Sequence, residues 1–538
     1  MYVRIVTTVN GHAHSWFVLF QKSLFAQIII TVIVTCVCTR ILSSHWFRSV
    51  KYGKRRNVKL PTLPYWIPGL KHALSLAYNS KPFMARSNCN AYGDGIPFFL
   101  DGAGQNMLII LDPEQIQGVL RSSTELDPNP FIHEKIMGAL LGSPQEAIDH
   151  YISDQGKADY IQITHIRQHT TGSNLGVLDK RLFETLKRSI GQTLLSSPET
   201  ERTEITDLYA FIEQHVTLAI TETLLGSAIV QSYPGMIADL WIHIEATEIF
   251  FMGLPRFLVP KAYVARDRLL SNIRKWSLRA ETLRNQGAVD TQWDPVAGSA
   301  LAQEREELYS AMPGHDEHGR AAQALGLLYG GTSLTVPITF WYFYETLRNP
   351  SLHERVLTEI NNHVDANTNS YNSCNSPHAP SSNPCTQKQH ELTAPTHALG
   401  EKYLIEKGTT VFILNRYVAQ FSHAWARARP QALARPLDAF WAERYLVAGG
   451  GDHKRERFSD AGLAGNWTSF GGGEHKCPGR HFARNIGIVT LGVLMGVFEC
   501  EVCDVEGARE LDPKLKERAF GTMKPSGKLA ARIRRRAG

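Results

Sequence analysis

Apolar residues fall into long runs of different character along the chain. Ser23 to Thr39 carries no charged residue, and the apolar character reaches upstream to Trp16 and Phe17 across the single Lys22. At ~1.5 Å per residue, about 17 residues span roughly 26 Å, close to the thinner end of a membrane core. Leu182 to Leu195, Leu208 to Leu225 and Ile237 to Phe251 place apolar side chains at helical spacing, which predicts packed amphipathic helices. Ala321 to Leu347 is apolar nearly all round, as expected of a helix buried through the middle of a domain. Gly330 and Gly331 interrupt it, and Pro337 removes a backbone donor, so a kink is predicted there. KYLIEKGTTVFI at 402–413 reads as strand. The pattern predicts a mainly α fold with a small β region and no internal repeat.

Polar stretches set the boundaries. Arg40, Arg48, Lys51, Lys54, Arg55, Arg56 and Lys59 follow the first apolar run. Cations on that side put the following domain on the cytoplasmic face of a membrane. A cleaved signal peptide fits less well, because the charge lies behind the apolar run and no A-x-A type site follows. Pro61, Pro64, Pro68 and Gly69 then predict a stiff extended arm or an ordinary linker. Residues 369–400 are rich in Ser, Asn, Pro and His. Such a composition buries too little apolar surface to offset its ordering entropy, so disorder or a surface loop is expected. The net charge of +6 comes with no basic stripe bearing interleaved aromatics, so no nucleic-acid partner is expected. Cys500 and Cys503 form a lone C-x-x-C without nearby histidines, a poor zinc signal, and a cytosol-facing domain disfavours disulfides.

The chemistry concentrates in Phe470 to Arg480, FGGGEHKCPGR. A single cysteine sits among glycines just before an apolar helical stretch, His481 to Phe498. Glycines let the backbone pass close to a flat group, and amide hydrogen bonds to a thiolate tune its electron donation. The plain alternative is a buried, inert thiol beside a turn. The segment resembles the haem-binding loop of the cytochrome P450 family, F-x-x-G-x-x-x-C-x-G, with Phe470, Gly473, Cys477 and Gly479 in the matching positions. The resemblance makes Cys477 the axial thiolate of heme b and gives His475 a haem propionate, where a solvent-facing histidine is the alternative.

It also maps Ala321 to Leu347 onto the family's distal helix, with Thr335 as the threonine that handles protons. The residue before it is Leu334 where the family usually has an acid, as in the branch of the sterol 7α-hydroxylases and prostacyclin synthase. A threonine bonding back to its own helix is the other reading of Thr335. Arg444 in FWAERYL matches the arginine that precedes the haem loop, yet no Glu-x-x-Arg stands between Glu359 and residue 402. Glu345 and Arg348 spell the motif by coincidence at the end of the distal helix. Either a core helix is lost at 361–400 or an exon boundary is misread, and Arg444 is expected to lack its ionic partner.

The resemblance implies a cytochrome P450 fold behind an N-terminal transmembrane helix: an anchor at 1–42, a basic and proline-rich hinge at 43–70, and a haem-thiolate domain at 71–538 with a low-complexity insertion at 361–400. Phe250, Phe251, Leu254, Phe257 and Leu258 resemble a lipophilic roof, or are core. The implied protein is a monooxygenase of the endoplasmic reticulum membrane with a cytoplasmic catalytic domain. It would oxidise a lipophilic substrate of terpenoid or polyketide biosynthesis with O2 and electrons from NADPH-cytochrome P450 reductase. A reductase-independent isomerase or dehydratase, and an inactive haem binder, are the alternatives.

Overall fold

The computed structural model describes residues 3–52, 58–78, 83, 96–102, 105–122, 126–158, 162–194, 202–365, 370–371, 387–392, 396–399, 403–414, 418–420, 422–448, 456–504, 507 and 524–536. Helices dominate. In chain order, those that position the site are α1 (Val3–Tyr52), α2 (Pro113–Arg121), α3 (Gln162–His169), α4 (Gly172–Thr193), α5 (Leu208–Leu225), α6 (Met236–Glu245), α7 (Pro260–Asn285), α8 (Ala300–Ser310), α9 (Glu317–Thr332), α10 (Thr335–Arg348), α11 (Pro350–His363) and α12 (Arg480–Leu491).

The main core lies where α4, α5, α7, α9, α10 and α12 meet. α5 spans the stretch read as helical from its apolar spacing and is buried nearly all round, including Thr217, Thr221 and Thr223. Trp241 of α6 donates its indole N–H to the Thr217 hydroxyl at 2.9 Å, which satisfies two polar groups inside an otherwise apolar layer.

The predicted long helix is two helices. The interruption falls at Ser333–Leu334, not at Pro337 itself. Proline cannot donate to the carbonyl four residues earlier and its ring collides with that carbonyl, which here belongs to Ser333. The break is therefore the effect of Pro337 displaced by one turn. Glu345 and Arg348 pair with each other at 3.4 Å within α10.

A smaller core packs on two sheets built from β1 (Phe98–Gly102), β2 (Gln105–Ile110), β3 (Gln387–Leu392), β4 (Thr396–Leu399), β5 (Tyr403–Glu406) and β6 (Thr410–Leu414): one runs β1-β2-β6-β3 and ends on Leu126–Asp127, the other joins β4 and β5 to Val58–Lys59. β6 runs parallel to β2, with Thr410 opposite Met107, and antiparallel to β3, with Gln387 opposite Leu414. β4 pairs with β5, Thr396 opposite Glu406. Within the segment 369–400, these pairings correct the expectation of disorder or a surface loop at 387–392 and 396–399. A ladder is held by backbone N–H and C=O groups, so a polar strand can join a sheet that others have started. The other residues of that segment, apart from Ser370 and Tyr371, lie outside the described residues. β7 (Phe498–Val502) and β8 (Ala531–Arg535) form a third sheet with Thr203–Ile205. Cys500 is buried in β7, where burial pushes its thiol up to about 12, and Cys503 is exposed.

α1 runs through Tyr52, past the boundary drawn at residue 42 and into the segment read as hinge. Phe47 and Val50 are buried, and Phe47 joins the sheet-side core with Leu60 and Leu63; burying such a phenylalanine stabilises by about 2 kcal/mol. The Arg40 guanidinium donates to the Pro64 carbonyl and lies over the Trp66 ring. Residues 60–70 are not helical, in keeping with their prolines.

α12 is tied to α4 by one buried polar contact. Asn485 donates to the Asp179 carboxylate at 2.6 Å. Burial pushes the Asp179 carboxyl up to about 7 from 3.8, against the opposing pull of Asn485 and Arg484. A raised carboxyl pKa favours folding while the proton stays on, so this contribution is full below about pH 4 and is lost as pH rises through about 7. Asp179→Asn keeps the amide contact and removes the titration. Thermal melts of the variant and the parent at pH 5 and pH 8 should show the variant gaining at both, by about 2–4 kcal/mol at pH 8 and by less at pH 5. An equal gap at the two values would contradict this account.

Candidate haem site

Phe470, Gly473, Cys477 and Gly479 lie in one loop that ends at the first turn of α12. The Cys477 amide donates to the Phe470 carbonyl at 2.8 Å, and the Lys476 amide to the Gly473 carbonyl at 3.3 Å, closing the loop on itself. Arg480 donates to the Cys477 carbonyl at 3.2 Å. Cys477 is half-buried, as befits a sulfur that must meet a group from one side. His475 ends a short 3-10 turn, Gly473–His475, and is also half-buried.

Two helices brace the loop, and the sequence reading anticipated neither. Asp112 starts α2 by accepting from the Glu114 and Gln115 amides, both at 3.0 Å, ahead of Pro113. Such a cap followed by proline is a readable helix start. The far end of α2 then presses into the loop. Gly473 has φ +58°, and a Cβ there would lie 1.9 Å from the Leu120 carbonyl oxygen. A Cβ on Gly472 would lie 2.7 Å from the Leu120 side chain. On the other flank, the Thr170 hydroxyl just beyond α3 is 3.2 Å from the Pro478 carbonyl, and a Cβ on Gly479 would rest 3.6 Å from Ile166.

Thr335 enters from the distal side, as the first residue of α10, and is buried. α10 packs on α12 so closely that a Cβ on Gly487 would sit 3.1 Å from the Tyr342 ring. The Thr335 hydroxyl makes no hydrogen bond among the described residues, whereas Thr332 and Thr339 bond back to the Leu328 and Thr335 carbonyls at 2.6 and 2.8 Å. Its side chain is therefore not occupied by its own helix. Ser333 bonds Tyr329, whose phenol also meets Thr247 at 2.9 Å.

The residues present fit haem. A half-buried thiol just before a helix, with His475 and Arg480 within three residues of it as candidates for propionate carboxylates, supplies the donor set that a haem-thiolate requires. On the distal helix Gly330 is exposed within the fold and a Cβ there would meet nothing within 4 Å, so that face opens onto free space.

Arg444 is buried and has no carboxylate partner among the described residues. Instead it donates to the Pro436, Leu437 and Ala439 carbonyls at 2.7, 3.1 and 3.3 Å and stands near the Trp425 and Trp441 rings. Burial lowers its pKa. Carbonyls thus carry part of the solvation that a carboxylate would give.

A cavity of about 570 Å³ lies beside the π-helical turn Ile132–Leu140, with His133, Ile148, Tyr151 and Ile152 among its lining and Asp127 and Glu134 at polar positions. Of the residues read as roof, Phe250 is buried, while Phe257 and Leu258 are 79% and 60% exposed.

Comparison with known proteins agrees with this geometry. The family model described as Cytochrome P450 matches residues 381–531, which contain the Cys477 loop. The chain is 27% identical to the cytochrome P450 monooxygenase fsoE of Humicola fuscoatra, over 96% of this chain and 95% of that protein. It is also 27% identical to the cytochrome P450 monooxygenase efuG of Hormonema carpetanum, over 97% and 98% of the two chains. The crystal structure of the cytochrome P450DA heme domain superposes with a TM-score of 0.61 at 14% identity, covering 90% of this chain and 98% of the other. The cysteine loop braced by two helices, this fold and these likenesses together support a fungal-type cytochrome P450 monooxygenase, a family whose haem iron is held by a cysteine thiolate.

Proposed function

We propose that this P450 oxidises a lipophilic small molecule of terpenoid or polyketide type in secondary metabolism, with electrons from NADPH-cytochrome P450 reductase. Cys477 is the axial ligand, His475 holds a propionate, Phe470, Gly473 and Gly479 shape the loop, and Thr335 manages the proton. Bound haem supplies the redox chemistry with dioxygen. The observation that carries the reading is the Thr335 hydroxyl: it is buried, uncommitted to its own helix, and placed where the distal helix breaks. Such a hydroxyl can hold a water and pass a proton without the acid that Leu334 replaces.

Membrane attachment is part of the proposal, with residues 1–42 as anchor, 43–70 as the connection and 71–538 as the catalytic domain, cytoplasmic at the endoplasmic reticulum. Phe25–Val50 has mean hydropathy 2.1 and is not buried by the rest of the chain over its apolar window. Trp66, Leu70, Phe257 and Leu258 add exposed apolar surface. Exposed Lys476 on the loop gives the acidic reductase a cation to dock on.

Leu334 also favours a second reading, a haem-thiolate isomerase or dehydratase that needs no reductase. Turnover in microsomes with and without NADPH separates the two, and product formed equally without NADPH would replace the first reading with the second.

The reduced, carbon-monoxide-treated full-length protein should show the red-shifted Soret band of a thiolate ligand, and Cys477→Ser should lose it. Thr335→Ala should keep that band yet slow product formation by about 10²-fold, with more of the consumed oxygen appearing as hydrogen peroxide. Gly473→Ala should retain its far-UV circular dichroism but lose most of its haem on purification, because the added Cβ has no room against Leu120. Full haem content in that variant would show that the loop can yield.

A further inference from the structure

Outside the haem site, two histidines and one carboxylate converge between α3 and α8. His165 and His169 are four residues apart, so both rings leave the same face of α3. Their Nε2 atoms lie 3.5 and 3.0 Å from one oxygen, Oε2 of Glu304 on α8. The three ligand atoms all fall within 4.8 Å of one another. We propose that His165, His169 and Glu304 form a divalent-metal site of the zinc type that staples α3 to α8.

The distances suit such an ion. Four ligands held tetrahedrally at ~2.0–2.1 Å from zinc are about 3.3 Å apart, and the two histidine-to-carboxylate distances bracket that value. Imidazole nitrogen with carboxylate oxygen is the donor set zinc takes from three protein ligands, with water completing the tetrahedron. Glu304 is about half exposed while the His169 side chain is 5% exposed, so the site has a dry floor and an open side by which an ion and its water can enter.

Neither histidine Nδ1 has a hydrogen-bond partner among the described residues. Nothing therefore fixes either ring in the tautomer that donates from Nε2. Each can carry its proton on Nδ1 and present the Nε2 lone pair to the ion. The missing outer partner has a cost, since losing such support weakens a metal site by about 10–100-fold. The site is accordingly an exchangeable one. The guanidinium of neighbouring Arg305 is turned onto the Tyr309 ring, 5.0 Å from its centroid.

Occupancy would reach the haem loop through α3. Ile166, between the two histidines, borders Gly479, and Thr170 meets the Pro478 carbonyl. An ion that fixes α3 against α8 fixes the flank on which the Cys477 loop rests.

The test uses haem-loaded full-length protein in detergent, purified without a polyhistidine tag and titrated with zinc chloride against a weak chromogenic chelator. About one zinc per protein should bind, with a rise in melting temperature reversed by EDTA. Glu304→Gln, which keeps a hydrogen-bond acceptor for the rings, and His169→Gln should each weaken this binding at least tenfold and abolish the thermal shift. Glu304 lies at the surface, so its variant isolates the ligand from the packing. No zinc taken by the parent protein, or equal affinity in the parent and in Glu304→Gln, would overturn the site and leave the carboxylate as a hydrogen-bond acceptor for two histidines.

Discussion

The approach of a bare backbone to the end of a helix governs this molecule. At Gly472 and Gly473 the chain runs against Leu120 at a distance no side chain could share, and that contact sets where Cys477 must stand. Everything behind the loop is arranged to keep the pressure constant: α2 on one flank, α3 on the other, and α12 leaving directly from the loop to pack on α4 and α10. A ligand sulfur has to be held to within a fraction of an ångström to be useful. Here rigid helices do that holding, and the loop supplies the reach.

The distal side follows a different logic. Pro337 takes away one helical hydrogen bond, and the chain responds a turn earlier by parting α9 from α10. Gly330 leaves space on the one helix and Thr335 begins the other, so room and hydroxyl arise from one backbone event. The buried Arg444 shows how a guanidinium is accommodated with no carboxylate partner among the described residues. Three backbone carbonyls and two indole rings surround the guanidinium. Hydrogen bonds to a charged donor are stronger than neutral ones, although neutral acceptors return less than a carboxylate would.

Local patterns in the chain carried much of this. α5 was legible from its apolar spacing, and its ends fall where the structure has Asp207 as cap and Gly226 as stop. Phe470, Gly473, Cys477 and Gly479 could be grouped because they are neighbours in sequence and their chemistry is local. The bracing of the loop could not, since Leu120 and Ile166 meet it across more than three hundred residues and neither bears a mark of that role. The strands at 387–392 and 396–399 were missed for a related reason: their composition speaks against burial, whereas their pairing draws on backbone groups that composition does not report. That α1 continues beyond residue 42 was not legible because hydropathy falls there while helix-forming residues continue, and Phe47 finds a core to enter.

That unbroken α1 has a mechanical consequence. A chain joined to its anchor through a swivel can turn freely; one joined through a helix whose last turns are buried in the domain cannot. In the proposed anchor the stretch free to lie in lipid is Ser23 to Thr39, about 26 Å at ~1.5 Å per residue and a little short of a bilayer core of ~30 Å. A short span is met by local thinning of the bilayer. With Phe47 locked into the sheet-side core and Arg40 tied to Pro64, the tilt of the proposed anchor becomes the attitude of the whole domain. Bilayer thickness would then act as a lever on how steeply the exposed Phe257 and Leu258 lean toward the lipid.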